Sequence, residues 1–445
     1  MSRKVAIIGA GYGGMAAAYD LARAGNQVTI FDSASQPGGL AAGFKAPGWD
    51  WSLETFYHHW FTSDRHILGL IDELGFSEDV LFPRPYTVMY FQGKFFPFDS
   101  IPAALLYPGL GWGIDKVRFG LVGLYLRLTK NWKSLEGVTV DTWMRRWAGT
   151  RVYEEMWQPM VQGKFGDTYS TQVNMAWLWA RFHVRSTRLG TFRGGFQRFS
   201  DLFAEKLREM GVAILLSSPV SAITPVKGKF EVNVNGGSQV FDQVLSTTSP
   251  GLMAKMVPAL PREYLQGLLA LKSMGAVVLT LSLDRPLSPQ GYYWYNIPKK
   301  AGFPFLSLVE HTNFLPAENY GGDRLIYIGD YLEPGHEYFS LDADSLLDRF
   351  TPGIKRINPQ FDKTWVKGSW VHSTRYAQPV PFVNHSRNIP PIASPLTGLF
   401  YASMSQVYPW DRGTNFAVEI GRRAARMMIQ NQNTRDSESG SIHIV

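Results

Sequence analysis

Cysteine is absent from the 445 residues of this chain. Disulfide bonds, thiolate nucleophiles, iron–sulfur clusters and attachment of a cofactor through cysteine are therefore excluded. The absence fits a reducing compartment, and we expect a cytoplasmic protein. Association with the inner face of a membrane stays open.

Long apolar runs are also missing. No stretch of about 18 uncharged apolar residues occurs, so we expect no membrane-spanning helix. The apolar run that ends at Gly9 is too short for a signal peptide and is interpreted as a buried strand. Charged residues make up only 18% of the chain and the net charge of +7 is scattered, which argues against nucleic acid as a partner and leaves an anionic membrane surface open.

Aromatic residues are abundant, at 14% of the chain. They have two explanations, a densely packed core or a pocket for a flat, apolar substrate, and the sequence does not choose between them. Hydrophobic periodicity predicts strands at 5–8, 27–31, 244–247 and 399–402, a strand with one polar face at 275–283, a mostly helical region at 67–150, and helices at 15–24, 196–210 and 415–429.

The first motif is a glycine-rich turn between a strand and a helix. Gly9, Gly11 and Gly14 follow the first strand, and Asp32 ends the next one. Glycines at this spacing let the backbone approach a pyrophosphate at a helix N-terminus, and the acid can bind both ribose hydroxyls. The pattern predicts a site for the ADP half of a dinucleotide and disfavours a 2′-phosphate.

A second glycine pair, Gly38 and Gly39, follows Asp32 closely. This pair resembles the signature of the FAD superfamily that contains amine oxidases, phytoene desaturases, protoporphyrinogen oxidases and UDP-galactopyranose mutases. The resemblance implies FAD as the cofactor. Many members carry an arginine after the pair, where this chain has Leu40.

Later segments resemble the same superfamily. The stretch 194–196 precedes a helix, and Val220 lies on a strand whose backbone contacts adenine in the family. The segment 376–380 resembles the short proline segment near the flavin ring, and 411–415 resembles the turn before the last helix. The resemblance implies ring contacts from Gly413, Thr414 and Asn415, whereas Ser403 and Met404 replace the usual Gly-Asp pair that contacts the ribitol.

Catalytic candidates are few. His58 and His59 are adjacent, so on a strand they point to opposite faces, and no cysteine or spaced carboxylate completes a site; we expect no metal. UDP-galactopyranose mutases carry a similar stretch beside the flavin, which makes His59 a catalytic candidate, with a packed structural histidine as the alternative. Tyr376 is the second candidate, near His372 and Arg375, and structural roles for these three remain open.

The fold class expected is α/β, a Rossmann-like FAD-binding domain with a mixed-sheet substrate domain and a helical insertion. The predicted division is 1–66 with 191–250 and 391–430 for FAD, 67–190 for the helical insertion, 251–390 for the substrate and 431–445 as a disordered tail. The expected function is an FAD-dependent oxidase or dehydrogenase that moves hydride from a carbon, or a carbon next to nitrogen, of a small hydrophobic or aromatic substrate to flavin.

Three alternatives stay open. The first is a non-redox mutase of the UDP-galactopyranose type, which would need paired arginines; Arg181, Arg185 and Arg188 are available, but their spacing favours a solvated helix face. The second is a peripheral-membrane reductase or saturase for isoprenoids or lipids, and the third a flavin-stabilised binding protein. The segment 101–133, rich in apolar residues and with a local charge of about +4, predicts membrane contact, a homodimer interface or internal core.

Overall fold

The computed structural model describes residues 2–184 and 188–440. Its strands are, in chain order, β1 Lys4–Ile8, β2 Gln27–Phe31, β3 Gly43–Phe44, β4 Leu53–Glu54, β5 Trp60–Phe61, β6 Val80–Leu81, β7 Thr87–Phe91, β8 Lys94–Pro97, β9 Leu189–Phe192, β10 Ala213–Leu215, β11 Val220–Val226, β12 Lys229–Val234, β13 Gly237–Phe241, β14 Gln243–Ser246, β15 Ser273–Leu283, β16 Trp294–Asn296, β17 Ser307–Glu310, β18 Arg324–Leu332, β19 Val366–Pro379 and β20 Leu399–Tyr401.

The α-helices of the same residues are α1 Tyr12–Arg23, α2 Arg65–Glu73, α3 Ile101–Leu106, α4 Ile114–Leu128, α5 Lys133–Glu136, α6 Val140–Trp147, α7 Thr150–Val152, α8 Gln158–Ser170, α9 Met175–Val184, α10 Phe196–Glu209, α11 Pro250–Met256, α12 Arg262–Ala270, α13 Ala343–Ile357 and α14 Thr414–Gly440. A π-helical turn, Tyr153–Trp157, joins α7 to α8.

A parallel sheet in the order β10-β2-β1-β14-β20 forms the first layer. Alternate residues of β1 enter two different cores: Val5 and Ile7 pack with α1, α10 and α14, while Ala6 and Ile8 pack with β11–β13 and α11. A parallel strand covered on both faces needs apolar residues throughout, which is why β1 is continuously apolar. This is the α/β, Rossmann-like architecture that the sequence predicts, with the strand ends and helix N-termini at one edge.

The second sheet is mixed, in the order β19-β15-β18-β17-β16-β7-β8. The sequence assigns β15 one polar face, and that is wrong: every residue from Met274 to Leu283 is buried. One face of β15 enters a core with α13, and Val278, on the other face, enters an aromatic cluster. Thr280 and Ser282 are therefore buried hydroxyls rather than solvent contacts.

The region 67–150 is less helical than its sequence predicts. The hairpin β7–β8 lies within it and joins the second sheet, because β7 pairs in parallel with β16. Prolines at 83, 85 and 97 interrupt helix here, and strand pairing then satisfies the backbone. The helices α4 to α9 form their own core against the sheet, around Phe165 and Trp177.

The last helix, α14, is continuous to Gly440 and so is longer than the predicted 415–429. It therefore enters the segment predicted as a disordered tail, whose residues 441–445 lie outside the described part of the chain. Among the described residues, no helix is both long and apolar enough to cross a bilayer.

Candidate functional site

The first glycine turn is shaped by two residues that have no room for a side chain. Gly9 has φ +117°, and a Cβ there would lie 2.3 Å from Oγ1 of Thr247. A Cβ on Gly14 would lie 2.0 Å from the carbonyl oxygen of Gly9. Gly11 differs, because its backbone is extended, with φ −75° and ψ 175°, and it begins α1 as the N-cap. Its missing side chain therefore leaves a gap in front of the helix rather than relieving strain.

The second glycine turn closes against the first. Gly38 donates its N–H to the carbonyl of Ala10 at 2.9 Å, and Gly38 and Gly39 both have positive φ, +116° and +60°. A Cβ on Gly39 would lie 3.2 Å from the Cα of Gly11. Two bare backbone turns thus meet at the N-terminus of α1. A surface without side chains beside unpaired helix N–H groups fits a pyrophosphate.

Asp32 lies at the end of β2, beside these turns. Its carboxylate accepts the N–H groups of Ala10 at 2.7 Å and Ala34 at 2.8 Å, so it is bonded to the glycine turn within the protein. Contact between the ribose hydroxyls and the remaining lone pairs of this carboxylate stays a prediction. Val220 begins β11 close by, since Ser218 donates its N–H to the Asp32 carbonyl.

The N-terminus of α14 approaches the same edge. Gly13 and Gly421 pack these helices closely, because a Cβ on Gly13 would lie 3.1 Å from the carbonyl oxygen of Ala417. The side chain of Thr414 accepts the indole N–H of Trp60 at 2.9 Å. The side chain of Asn415 accepts the N–H groups of His66 and Ile67, which begin α2. The side-chain oxygens of both residues are thus engaged within the protein, and the backbone contacts of 413–415 to the ring, which the resemblance implies, stay predictions.

Ser403 and Met404 replace the Gly-Asp pair expected from the resemblance. Ser403 caps the short helix Met404–Gln406, and its backbone N–H is accepted by the side-chain oxygen of Gln406 at 2.7 Å. The pair thus has a local structural role here. Leu40 is the middle residue of the 3₁₀ turn Gly39–Ala41. Its side chain is apolar, so it provides no cation for the phosphates.

His58 and His59 differ in what they reach. His58 hydrogen-bonds through Nδ1 with the carbonyl of Phe56 at 2.6 Å, and burial lowers its pKa to about 4. Nε2 of His59 hydrogen-bonds with the hydroxyl of Tyr293 at 2.6 Å, and burial lowers its pKa to about 3. Both rings are neutral at pH 7, so His59 is a weak base and is better suited to orienting a ligand.

His59 also lines a cavity of about 480 Å³ between the helical part and the second sheet. Apolar and aromatic side chains form most of its wall, namely Tyr57, Phe61, Met89, Phe98, Met156, Trp157, Met160, Leu189, Trp294, Ile297, Leu306 and Tyr331. This size and composition are typical of a small-molecule site. The described residues contain no cluster of three or more metal-ligating side chains.

Three kinds of comparison with known proteins bear on this arrangement. The pattern of the family of flavin containing amine oxidoreductases matches residues 12–429. The chain belongs to this family.

Among curated relatives, the phytoene desaturase of Narcissus pseudonarcissus is 30% identical over 159 residues, which are 32% of this chain and 28% of that protein. Among solved structures, a protein assigned as a protoporphyrinogen oxidase from Exiguobacterium sp. 255-15 has a TM-score of 0.75 at 16% identity, covering 97% of this chain and 99% of the other. A reduced UDP-galactopyranose mutase has a TM-score of 0.75 at 15% identity, covering 97% and 94%. The curated relatives are matched over well under half of their length, and the structural likeness shows the fold.

This member of the family holds Tyr376 outside the wall of the cavity. The Tyr376 hydroxyl contacts Oγ of Ser405 at 2.7 Å and accepts the Ser405 N–H at 3.0 Å. His372 packs on Phe44, and Arg375 donates to the carbonyl of Pro334. The structure thus does not bring His59 and Tyr376 together on one cavity, and their catalytic roles stay predictions.

A group of cations around Tyr331 was missed by the sequence analysis. Arg412 donates to the Tyr331 hydroxyl and, at 3.1 Å, to the side-chain oxygen of Gln378. Nζ of Lys164 lies 4.5 Å from the centre of the Tyr331 ring. These residues come from α8, β18 and the turn before α14, so no local pattern joins them, although Arg412 directly precedes the predicted Gly413.

The prediction that Arg181 lies on a solvated helix face is wrong. Its side chain is only 6% exposed and pairs with Asp411. Residues 176–180 of α9 are all buried, so other elements cover this part of the helix on every side. The spacing of charged residues in the sequence does not indicate such burial. Arg188 is exposed, and Arg185 lies outside the described residues.

Proposed function

We propose that the chain is an FAD-dependent oxidoreductase acting on a lipophilic substrate held in the cavity beside His59. The observation that carries the proposal is the meeting of Gly11 and Gly39 at the N-terminus of α1, a cradle that a single Cβ would fill. When bound, FAD would supply the ring that accepts hydride from a substrate carbon, or from a carbon next to nitrogen.

The chain's own residues would hold this cofactor along one edge of the parallel sheet. The backbone of Gly11 and Gly39 would bind the pyrophosphate, and Asp32 and Val220 would bind the adenosine. The N–H groups at the start of α14, at 413–415, would hold the ring, because the dipole at a helix N-terminus favours negative charge.

The cavity contributes an apolar environment with few polar groups. His59 is neutral and fixed by Tyr293, so it offers one oriented ring to a substrate without adding charge. The indoles of Trp157 and Trp294 add flat apolar surfaces. Such a wall excludes water and selects molecules by shape more than by hydrogen bonds.

Anaerobic titration of the yellow protein with candidate substrates tests the redox assignment. Loss of the flavin absorbance on adding a lipophilic substrate, and its return with oxygen or a quinone, is expected. A reaction that isomerises a substrate only after prior chemical reduction would favour the mutase alternative instead. No bleaching, together with a tight protein partner, would favour a binding protein.

We also propose that α4 docks on an anionic membrane surface. Five apolar residues recur at intervals of three and four along its outer face, and each is more than half exposed: Ile114, Val117, Leu121, Leu124 and Leu128. Trp112, just before the helix, is 86% exposed. An apolar stripe in water at this position is therefore not internal core, and it suits the headgroup boundary.

The charges beside the stripe favour a membrane over a second copy of the chain. Lys116, Arg118, Arg127, Lys130 and Lys133 flank it, against the single acid Asp115. Two copies packed stripe to stripe would bring these cations together, whereas each cation near anionic lipid adds about 1 kcal/mol.

Flotation with vesicles of mixed phosphatidylcholine and phosphatidylserine tests this docking. Wild type is expected to float at low salt, and the double variant Leu121→Glu, Leu124→Glu to stay with the free protein. Leu269→Glu is the matched control, because Leu269 is 57% exposed on α12, away from the stripe. Phe119 is unsuitable for this test, since it stacks on Trp157 at 5.8 Å. Failure of wild type to float, with dimers lost in the double variant, would assign the stripe to a homodimer.

A further inference from the structure

The polar end of the cavity is built from cations. Lys164 and Arg181 line it, and Arg412 reaches the same Tyr331 from the turn before α14. Arg181 pairs with the carboxylate of Asp411, whereas Arg412 donates to the neutral side chains of Tyr331 and Gln378. The two arginines and Asp411 together therefore carry more positive than negative charge beside a largely apolar wall.

Arg181 points to a ligand more directly than the other two. Its side chain is 6% exposed, yet its Nε is buried without a hydrogen-bond partner in the described structure. A guanidinium donor buried without an acceptor is costly, and such groups are almost always satisfied by protein, water or a ligand. The cavity that Arg181 lines is the space from which an acceptor could come.

The carboxylates of the same cavity are already paired. Asp99 lies 3.5 Å from Arg84, and Glu155 lies 2.7 Å from Lys300. A protonated amine entering the cavity would thus meet carboxylates neutralised by their own cations and, near Tyr331, an excess of positive charge. Both features disfavour an ammonium group, although the family is named for amines.

We propose that this cavity takes an elongated apolar molecule that ends in an anionic group, a carboxylate or a phosphate, which binds at Arg181 and Lys164. The inference rests on the proposed function, since it describes the substrate of the same site. It narrows the lipophilic substrate to an acid and excludes simple alkylamines.

Three probes of equal chain length test the proposal on the FAD-loaded full chain: decanoate, decan-1-ol and decylamine. Binding is followed by quenching of tryptophan fluorescence, since Trp157 and Trp294 line the cavity, and by perturbation of the flavin spectrum. Decanoate is expected to bind at least about tenfold more tightly than decan-1-ol, because a tenfold difference in affinity corresponds to about one charge-assisted hydrogen bond. Decylamine is expected to bind most weakly of the three. Decyl phosphate in place of decanoate distinguishes the two anionic groups.

Variants connect the preference to the named cations. Lys164→Met and Arg181→Gln are expected to lower decanoate affinity about tenfold or more and to change decan-1-ol affinity less than about twofold. Lys255→Met removes an equal charge from exposed α11 and should change neither. Retained FAD shows in each variant that the cofactor site is intact.

Equal or tighter binding of decylamine by protein that carries FAD would overturn the proposal and leave the oxidoreductase assignment standing. Failure of decanoate to bind saturably to such protein would overturn it as well. Protein that takes up no FAD would instead contradict the proposed function, whatever the order of the probes.

Discussion

Single glycines in the two turns have different physical roles, and substitution separates them. Gly11→Val adds a branched side chain to a backbone that any residue can adopt, and the nearest atom to its Cβ, the Cα of Gly39, is 3.8 Å away. We expect the fold to survive and FAD affinity to fall at least about tenfold, because the side chain fills the pyrophosphate gap. Calorimetric titration of apoprotein with FAD and circular dichroism measure the two effects.

Gly14→Ala and Gly69→Ala are the comparison variants. A Cβ on Gly14 collides with the Gly9 carbonyl, so this variant should lose the fold of the turn as well as FAD. Gly69 has open space in α2, and alanine there should stabilise by about 0.5–1 kcal/mol without affecting FAD. Wild-type affinity in Gly11→Val would show that the gap does not hold the cofactor.

Glu54 gives a pH dependence at the scale of one residue. Its buried carboxyl accepts the Phe196 N–H at 3.0 Å, and burial raises its pKa to about 7 from an ordinary value of 4.5. The folded state therefore binds this proton more tightly than the unfolded state. The stabilisation is complete below pH 4.5 and is lost as the pH rises through 7.

Glu54→Gln keeps an acceptor for the Phe196 N–H and removes the titration. Relative to wild type, its free energy of unfolding should rise between pH 5 and pH 8 by about 2–3 kcal/mol. Urea unfolding of both proteins across this range measures the difference. A difference that stays constant with pH would mean that Glu54 is ionised in the folded protein.

At the scale of elements, Asn415 links the ends of two helices that are far apart in sequence. Its side-chain oxygen accepts the N–H of His66 at 2.8 Å and the N–H of Ile67 at 3.2 Å. Asn415→Ala leaves both donors of α2 unpaired and should cost about 1–3 kcal/mol. Asn415→Asp keeps an acceptor at a helix N-terminus and should cost little. Thermal unfolding of the two variants decides, and an alanine variant as stable as wild type would show that water replaces the cap.

The elements differ in how far sequence alone could predict them. The β1–α1–β2 unit is encoded locally, by an apolar run, glycines and a helix followed by the strand that ends at Asp32, so the order of its elements follows from the sequence. Its bounds follow less closely, because α1 begins at Tyr12 and not at the predicted residue 15. The hairpin β7–β8 is not, because β7 pairs with β16, some two hundred residues later. The cationic group at Tyr331 is assembled from three such distant elements, and the burial of Arg181 depends on what covers α9.

At the scale of the whole molecule, the exposed apolar helix α4 is connected with the apolar cavity in which we propose that the substrate binds. Phe119, on the inner side of α4, stacks on Trp157, and Trp157 lines the cavity. The proposed docking helix therefore contacts the cavity wall directly. This contact suits a lipophilic substrate that arrives from a membrane, and it predicts that vesicles lower the KM for such a substrate without changing its kcat.

The identity of the bound cofactor tests the central claim most directly. The full chain is purified, denatured, and the released chromophore is identified by chromatography and mass spectrometry. We predict FAD, because the two glycine turns and Asp32 provide for an ADP half that FMN lacks. Release of FMN, or a colourless protein that takes up no FAD on reconstitution, would contradict the account.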